Sequence, residues 1–136
     1  MKISAKAEYA CLAVLALARS RPEDPPIRIR EIAEAHGIPE RYLVQILLQM
    51  KGAGLVASTR GASGGYRLAR PALQISLGEV LTAIDGPDEA HREPLGPAAA
   101  ALAVVWERVR MAERAVLDHT TIADLAERTS PQEWFI

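Results

Sequence analysis

The stretch from Arg30 to Gly54 constrains the fold of this chain more than any other. Ile32 and Ala33 put apolar side chains on one side of a two-turn segment that stops at His36, with Gly37 standing just past its end and Ile38-Pro39 as connector. From Glu40 onward Leu43, Ile46, Leu47 and Met50 recur at helical spacing until Gly52 and Gly54 close the segment. Two short helices joined by a turn of about three residues form a helix-turn-helix, whose second helix enters the DNA major groove.

The flanking residues extend that unit. Leu55 to Ser58 and Tyr66 to Leu68 are β-like runs around Thr59-Arg60-Gly61-Ala62-Ser63-Gly64-Gly65, a glycine-rich hairpin tip with an arginine. Helix, turn, helix and basic-tipped hairpin make a winged helix. Upstream, Ser4 caps a helix expected to run to about Ser20, and a short strand is expected from Ile27 to Ile29. The apolar run Tyr9 to Ala18 is too short to span a bilayer and is bounded by Glu8 and by Arg19-Ser20-Arg21, so it reads as a buried first helix and not as a secretory signal.

Downstream, Ser76 and Glu79 have capping-box spacing and open a helix from Leu77 to Asp85. Gly86 to Pro97 is a polar, proline-bearing linker. Ala98 to about His119 is the longest helix, with Leu102, Val105, Trp106, Val109, Ala112, Val116 and Leu117 on one stripe; Thr121-x-x-Asp124 starts a last helix through Leu125. The expected fold is mainly α with a small β-hairpin wing. It divides into a winged-helix DNA-binding domain (1–85), a linker (86–97), and a dimerisation helix with C-terminal tail (98–136). A long amphipathic helix added to a complete small domain needs a partner for its apolar face, which predicts a homodimer through Leu102, Val105, Trp106, Val109 and Val116.

Charge separates the same two parts. The net charge of −1 is the sum of a half, residues 1–70, with 11 Lys/Arg against 6 acids, and a half, residues 71–136, with 5 arginines against 11 acids. The basic half faces a polyanion. One cysteine and three histidines leave no internal disulfide and few metal ligands, so a reducing, cytoplasmic setting without cofactor or membrane partner is expected.

Within the basic half, Arg41, Tyr42 and Gln45 fall in the first turns of the recognition helix. Arg pairs bidentately with guanine and Gln with adenine, while Tyr offers a hydroxyl to phosphate or a ring to a thymine methyl. Arg60 at the wing tip suits a narrow minor groove, and Gly64 and Gly65 would admit a close sugar-phosphate chain. Lys6 and Ser63 complete the expected DNA-contacting set.

Three alternatives compete. Gly61-Ala62-Ser63-Gly64-Gly65 satisfies the G-x-S-x-G nucleophile pattern, and Asp85 or Asp88 before His91 or His119 gives the hydrolase order. That reading fails on context, because the elbow joins a strand to a helix on a large sheet, whereas Ser63 precedes a β-like run. The protein is therefore expected not to be an enzyme. A winged helix used purely for protein contact does not need Arg60, Arg67 and Arg70 in one basic half. Cys11, on a stripe with Ala7, Val14, Leu15 and Ala18, is expected to be a buried, protonated thiol, with a redox-sensing role as the alternative.

Motifs spread over nearly the whole chain resemble the Rrf2 family of bacterial transcription regulators. They are Met-Lys-Ile-Ser-x-Lys-x-x-Tyr-Ala at the N-terminus, Ile32-Ala33-x5-Ile38-Pro39-x2-Tyr42-Leu43-x-Gln45-Ile46-Leu47, Arg60-Gly61-x2-Gly64-Gly65-Tyr66, Gly78-Glu79-Val80 and Thr121-Ile122-Ala123-Asp124-Leu125. The resemblance implies a homodimeric winged-helix regulator, most simply a repressor, on double-stranded palindromic DNA, with the long helix crossing its partner's. Its effector would be a small molecule, a partner protein or the Cys11 thiol. Many members hold an iron–sulfur cluster through three cysteines before the long helix; Gly86 to Ala101 has none here, so Glu8, placed where some members recruit a further ligand, has no site to complete.

Overall fold

The computed structural model describes residues 1–87 and 93–129. Asp88 and His91 of the hydrolase order, the middle of the expected linker and the tail from 130 lie outside the described residues. The described chain forms α1 (Ala5–Ala18), α2 (Ile29–His36), α3 (Glu40–Gly52), β1 (Val56–Thr59), β2 (Gly65–Leu68), a 3₁₀ turn at Ala72–Gln74, α4 (Leu77–Asp85), α5 (Pro97–His119) and α6 (Ile122–Arg128). None of the described helices is long and apolar enough to cross a membrane.

The all-round apolar character of α1 is explained by its position in the middle of the domain. It packs against α2, α3, α4, α6 and β2, and Ala7, Ala10, Ala13, Val14 and Leu17 are buried. Small alanines on its inner side let neighbouring helices approach closely. Ser4 starts it as expected: its hydroxyl accepts from the Ala7 N–H at 3.0 Å and donates to the Asp85 carboxylate at 3.2 Å, tying the start of α1 to the end of α4.

The turn between α2 and α3 forms because Gly37 adopts φ 64°, ψ 32°, a left-handed conformation that an L side chain resists. The Ile38 N–H then reaches back to the Ala33 carbonyl at 3.0 Å, and the Ile38 side chain is buried under the turn. α3 runs from Pro39 with Leu43, Ile46, Leu47 and Met50 buried, the four positions that the periodicity marked. β1 and β2 pair antiparallel, with Val56 opposite Leu68 and Thr59 opposite Gly65.

Two expectations are corrected. The strand at Ile27–Ile29 reduces to one bridge between Ile27 and Tyr66, because Ile29 already belongs to α2. The capping box at Ser76 is half made: the hydroxyl accepts from the Glu79 N–H, but the Glu79 carboxylate turns to the Arg70 guanidinium, a charged donor that outcompetes the Ser76 N–H. The reciprocal box forms instead at α6, between Thr121 and Asp124. Ile122 at the start of α6 is fully buried in the core shared with α1–α4.

The foot of α5 is fixed to that core by backbone. The Leu77 N–H donates to the Thr120 carbonyl and the Ile122 N–H to the Ile75 carbonyl, both at 2.8 Å. Above its foot α5 buries no residue.

Candidate nucleic-acid interface

At 100° per residue, Leu43, Ile46, Leu47 and Met50 define the inner side of α3 and Arg41, Val44, Gln45 and Leu48 the outer one. All four outer residues are exposed, as is Tyr42. The Arg41 guanidinium lies 5.0 Å from the centroid of the Tyr42 ring, with Nη2 3.5 Å from its hydroxyl, so the ring holds the cation at the start of the helix. Lys6 and Tyr9 of α1 and Tyr42 and Gln45 of α3 line one groove of about 430 Å³. The structure thus brings Lys6, Tyr42 and Gln45 together, although Lys6 is 39 positions from Gln45 in the sequence.

The wing presents Arg60 and Ser63 on its exposed tip. Gly64 and Gly65 have a reason to be glycine within the fold itself. Neither has a positive φ. A Cβ on Gly64 would stand 2.2 Å from the Thr59 carbonyl oxygen, and one on Gly65 would stand 2.5 Å from that of Ile27. Gly64 is moreover buried, and its backbone packs within the turn.

The arginines of the basic half do several jobs that spacing alone did not separate. Arg28 donates to the Ala62 carbonyl and so braces the wing tip. Arg67 donates to the Pro22 and Asp24 carbonyls, fastening β2 to the loop after α1. Lys51 donates to the Ser58 hydroxyl at 2.7 Å, joining α3 to β1. Carbonyl and hydroxyl oxygens leave these cations uncompensated, so their positive field persists beside the interface; Arg70 and Arg30, in contrast, are paired with Glu79 and Glu34. Val44 and Leu48 escaped the sequence reading, although the i, i+3, i+4, i+7 series that starts at Arg41 contains both.

On α5, Leu102, Val105, Trp106, Val109 and Val116 are all exposed, Trp106 at 57% and Val116 at 66%. The G-x-S-x-G segment lies between β1 and β2 of the hairpin, with no helix after Ser63 to make a nucleophile elbow.

Cys11 is the chain's single thiol and sits half-buried on α1. Burial, then the nearby Glu8 and Asp85 carboxylates, push its pKa up to about 11, which keeps it protonated at neutral pH.

The Rrf2 family profile, described as an iron-dependent transcriptional regulator, matches residues 3–128. The HTH-type transcriptional regulator CymR of Bacillus subtilis (strain 168) is 36% identical over 133 residues, covering 98% of this chain and 95% of its own. The solved structure of CymR (YrzC), the global cysteine regulator of B. subtilis, superposes with a TM-score of 0.83 at 36% identity over 96% of this chain and 99% of that one. T. potens IscR gives 0.81 at 32% identity over 100% and 92%. These similar proteins are regulators, not enzymes. An iron centre of the kind the family description implies does not suit the donors present: a lone thiol held neutral by burial and by two nearby carboxylates is a poor thiolate ligand, and no group of three or more His, Cys, Asp or Glu among the described residues could hold a metal ion.

Proposed function

Since the chain belongs to the Rrf2 family of helix-turn-helix transcriptional regulators, we propose that it acts as a repressor that binds a palindromic operator as a homodimer. The observation that carries this reading is the common exposure of Arg41, Tyr42 and Gln45 on α3 and of Arg60 on the wing tip. α3 occupies the major groove, where Arg41 and Gln45 reach base edges and Tyr42 and Lys6 contact the backbone. The wing follows the phosphates, Arg60 enters the minor groove beside it, and Ser63 donates to a phosphate oxygen.

The second half of the reading rests on α5. Five large apolar side chains exposed along one stripe of a 23-residue helix are covered when a second copy applies the same stripe in an isologous, two-fold interface. Such symmetry sets two recognition helices about 34 Å or a multiple of it apart on one DNA face. Residues 98–119 thereby serve as the dimerisation element. The thiol-sensing alternative through Cys11 is weakened by the raised pKa, which favours a packing role.

Two measurements test the proposal. Duplex binding should weaken steeply with salt, and Arg60→Ala should lose affinity on all sequences with a shallower salt slope. Trp106→Ala should weaken self-association by about 3 kcal/mol or more if its ring is central to the interface. Salt-independent binding, or a monomer by light scattering at micromolar concentration, counts against it.

A further inference from the structure

Two aliphatic side chains stand out on the face of α3 that the proposed function turns toward DNA. Val44 is 40% exposed and Leu48 is 56% exposed. Neither is needed by the core, which α3 serves with its opposite side through Leu43, Ile46, Leu47 and Met50. Both lie in register with the polar readers: Val44 adjoins Gln45, and Leu48 is one turn beyond Val44 on the same outer stripe as Arg41. Four residues apart, Val44 and Leu48 are neighbours on the helix surface and form one small apolar patch set among Arg41 and Gln45, which fits an apolar group on whatever that face reads. That group is not supplied by the proposed dimer, whose contact is on α5.

We infer that Val44 and Leu48 are specificity determinants that read the 5-methyl groups of thymines in the major groove. The inference rests on the DNA-binding reading above and deepens it. In the major groove only one base edge offers an apolar group, the thymine methyl; every other edge offers hydrogen-bond donors and acceptors that an aliphatic side chain leaves unpaired. Val44 therefore favours thymine by attraction and disfavours cytosine, whose amino group would be desolvated without an acceptor. The helical rise of about 1.5 Å per residue puts Leu48 about 6 Å beyond Val44, close to two base-pair steps of about 3.4 Å. The pair thus addresses two positions of a half-site on either side of the one read by Gln45. The preferred half-site carries thymines at both, on one strand or on opposite strands.

The test uses the full chain and a duplex obtained by selection from a random-sequence pool. Each thymine of the selected duplex is replaced in turn by deoxyuridine, which deletes the methyl and leaves the hydrogen-bonding edge unchanged. Affinity is measured for the wild type, Val44→Ala and Leu48→Ala. At two positions per half-site the wild type should lose about fourfold for the lost methyl. The loss at one of them should vanish in Val44→Ala and the loss at the other in Leu48→Ala. Because the uracil series on the wild type needs no variant, it stands even if an alanine variant is impaired. Equal affinity for thymine and uracil at every position, or methyl sensitivity that both variants retain in full, overturns the inference while leaving DNA binding intact. Absence of any duplex binding by the wild type overturns both.

Discussion

Replacing Gly65 with alanine tests the wing where its geometry is tightest. The new Cβ would lie 2.5 Å from the Ile27 carbonyl oxygen and 2.7 Å from the Ile27 carbonyl carbon, both backbone atoms that cannot rotate away. Relief requires β2 to move off the Ile27 segment. That movement stretches the two bonds of the bridge, Tyr66 N–H to Ile27 O at 2.7 Å and Ile27 N–H to Tyr66 O at 3.0 Å. Each such bond is worth about 0.5–1.5 kcal/mol net, and alanine returns about 0.4–1 kcal/mol by restricting the unfolded chain. The expected balance is a loss of about 1–2 kcal/mol, or a drop of about 4–7 °C in Tm for a chain of this length. Thermal melts at fixed protomer concentration measure it, with Ser63→Ala on the exposed tip as a control that should stay within about 0.5 kcal/mol of the wild type. Hydrogen exchange localises the effect, because the Ile27 and Tyr66 amides should lose protection before those of α1. A Gly65→Ala protein that melts at or above the wild type with both amides still protected would refute the close-approach argument.

Two further outcomes follow from the described geometry. Thr121→Ala removes the hydroxyl that accepts from the Asp124 N–H at 3.0 Å and should cost about 1–2 kcal/mol in a denaturant melt, whereas Ser76→Ala, which breaks only a one-way cap, should cost less. Cys11 should react with an alkylating reagent about tenfold faster for each pH unit up to about 11; its neutral form is the one the fold favours, so its contribution to stability is intact below pH 9 and lost as pH rises through about 11. A plateau in the alkylation rate near pH 8.5 would mean a thiol in an ordinary environment.

Much of the fold was legible because hydrophobic periodicity and glycine placement act locally. The inner stripe of α3, the left-handed Gly37 and the cap at Ser4 each depend on neighbours within four residues. Misread features depended on partners distant in sequence. Glu79 left its capping box because Arg70, across the 3₁₀ turn, offered a stronger donor. Gly64 and Gly65 carry a constraint that spacing does not show, the carbonyls of Thr59 and Ile27. For the candidate site, the exposure of the first turn of α3 and of the tip arginine was readable. The bracing roles of Arg28 and Arg67 were not, because sequence gives the charge of a guanidinium but not its acceptor. Val44 and Leu48 were passed over because the expected readers on α3 were chosen for hydrogen bonding or an aromatic ring, and aliphatic side chains on the same stripe offer neither.

The backbone attachment at the foot of α5 has a mechanical consequence. A helix of 23 residues is a rod about 34 Å long at about 1.5 Å per residue, held at one end by the pair of bonds at Leu77–Thr120 and Ile75–Ile122. A tilt of about 5° at that end displaces the far end by about 3 Å, close to one base-pair step of about 3.4 Å. In the proposed dimer the two rods cross, so any slack at either foot appears, multiplied, as an error in the distance between the two reading heads. In that dimer the stiffness of a few peptide groups beside Ile75 and Ile122 would therefore limit how sharply the pair of heads discriminates between operators of different spacing.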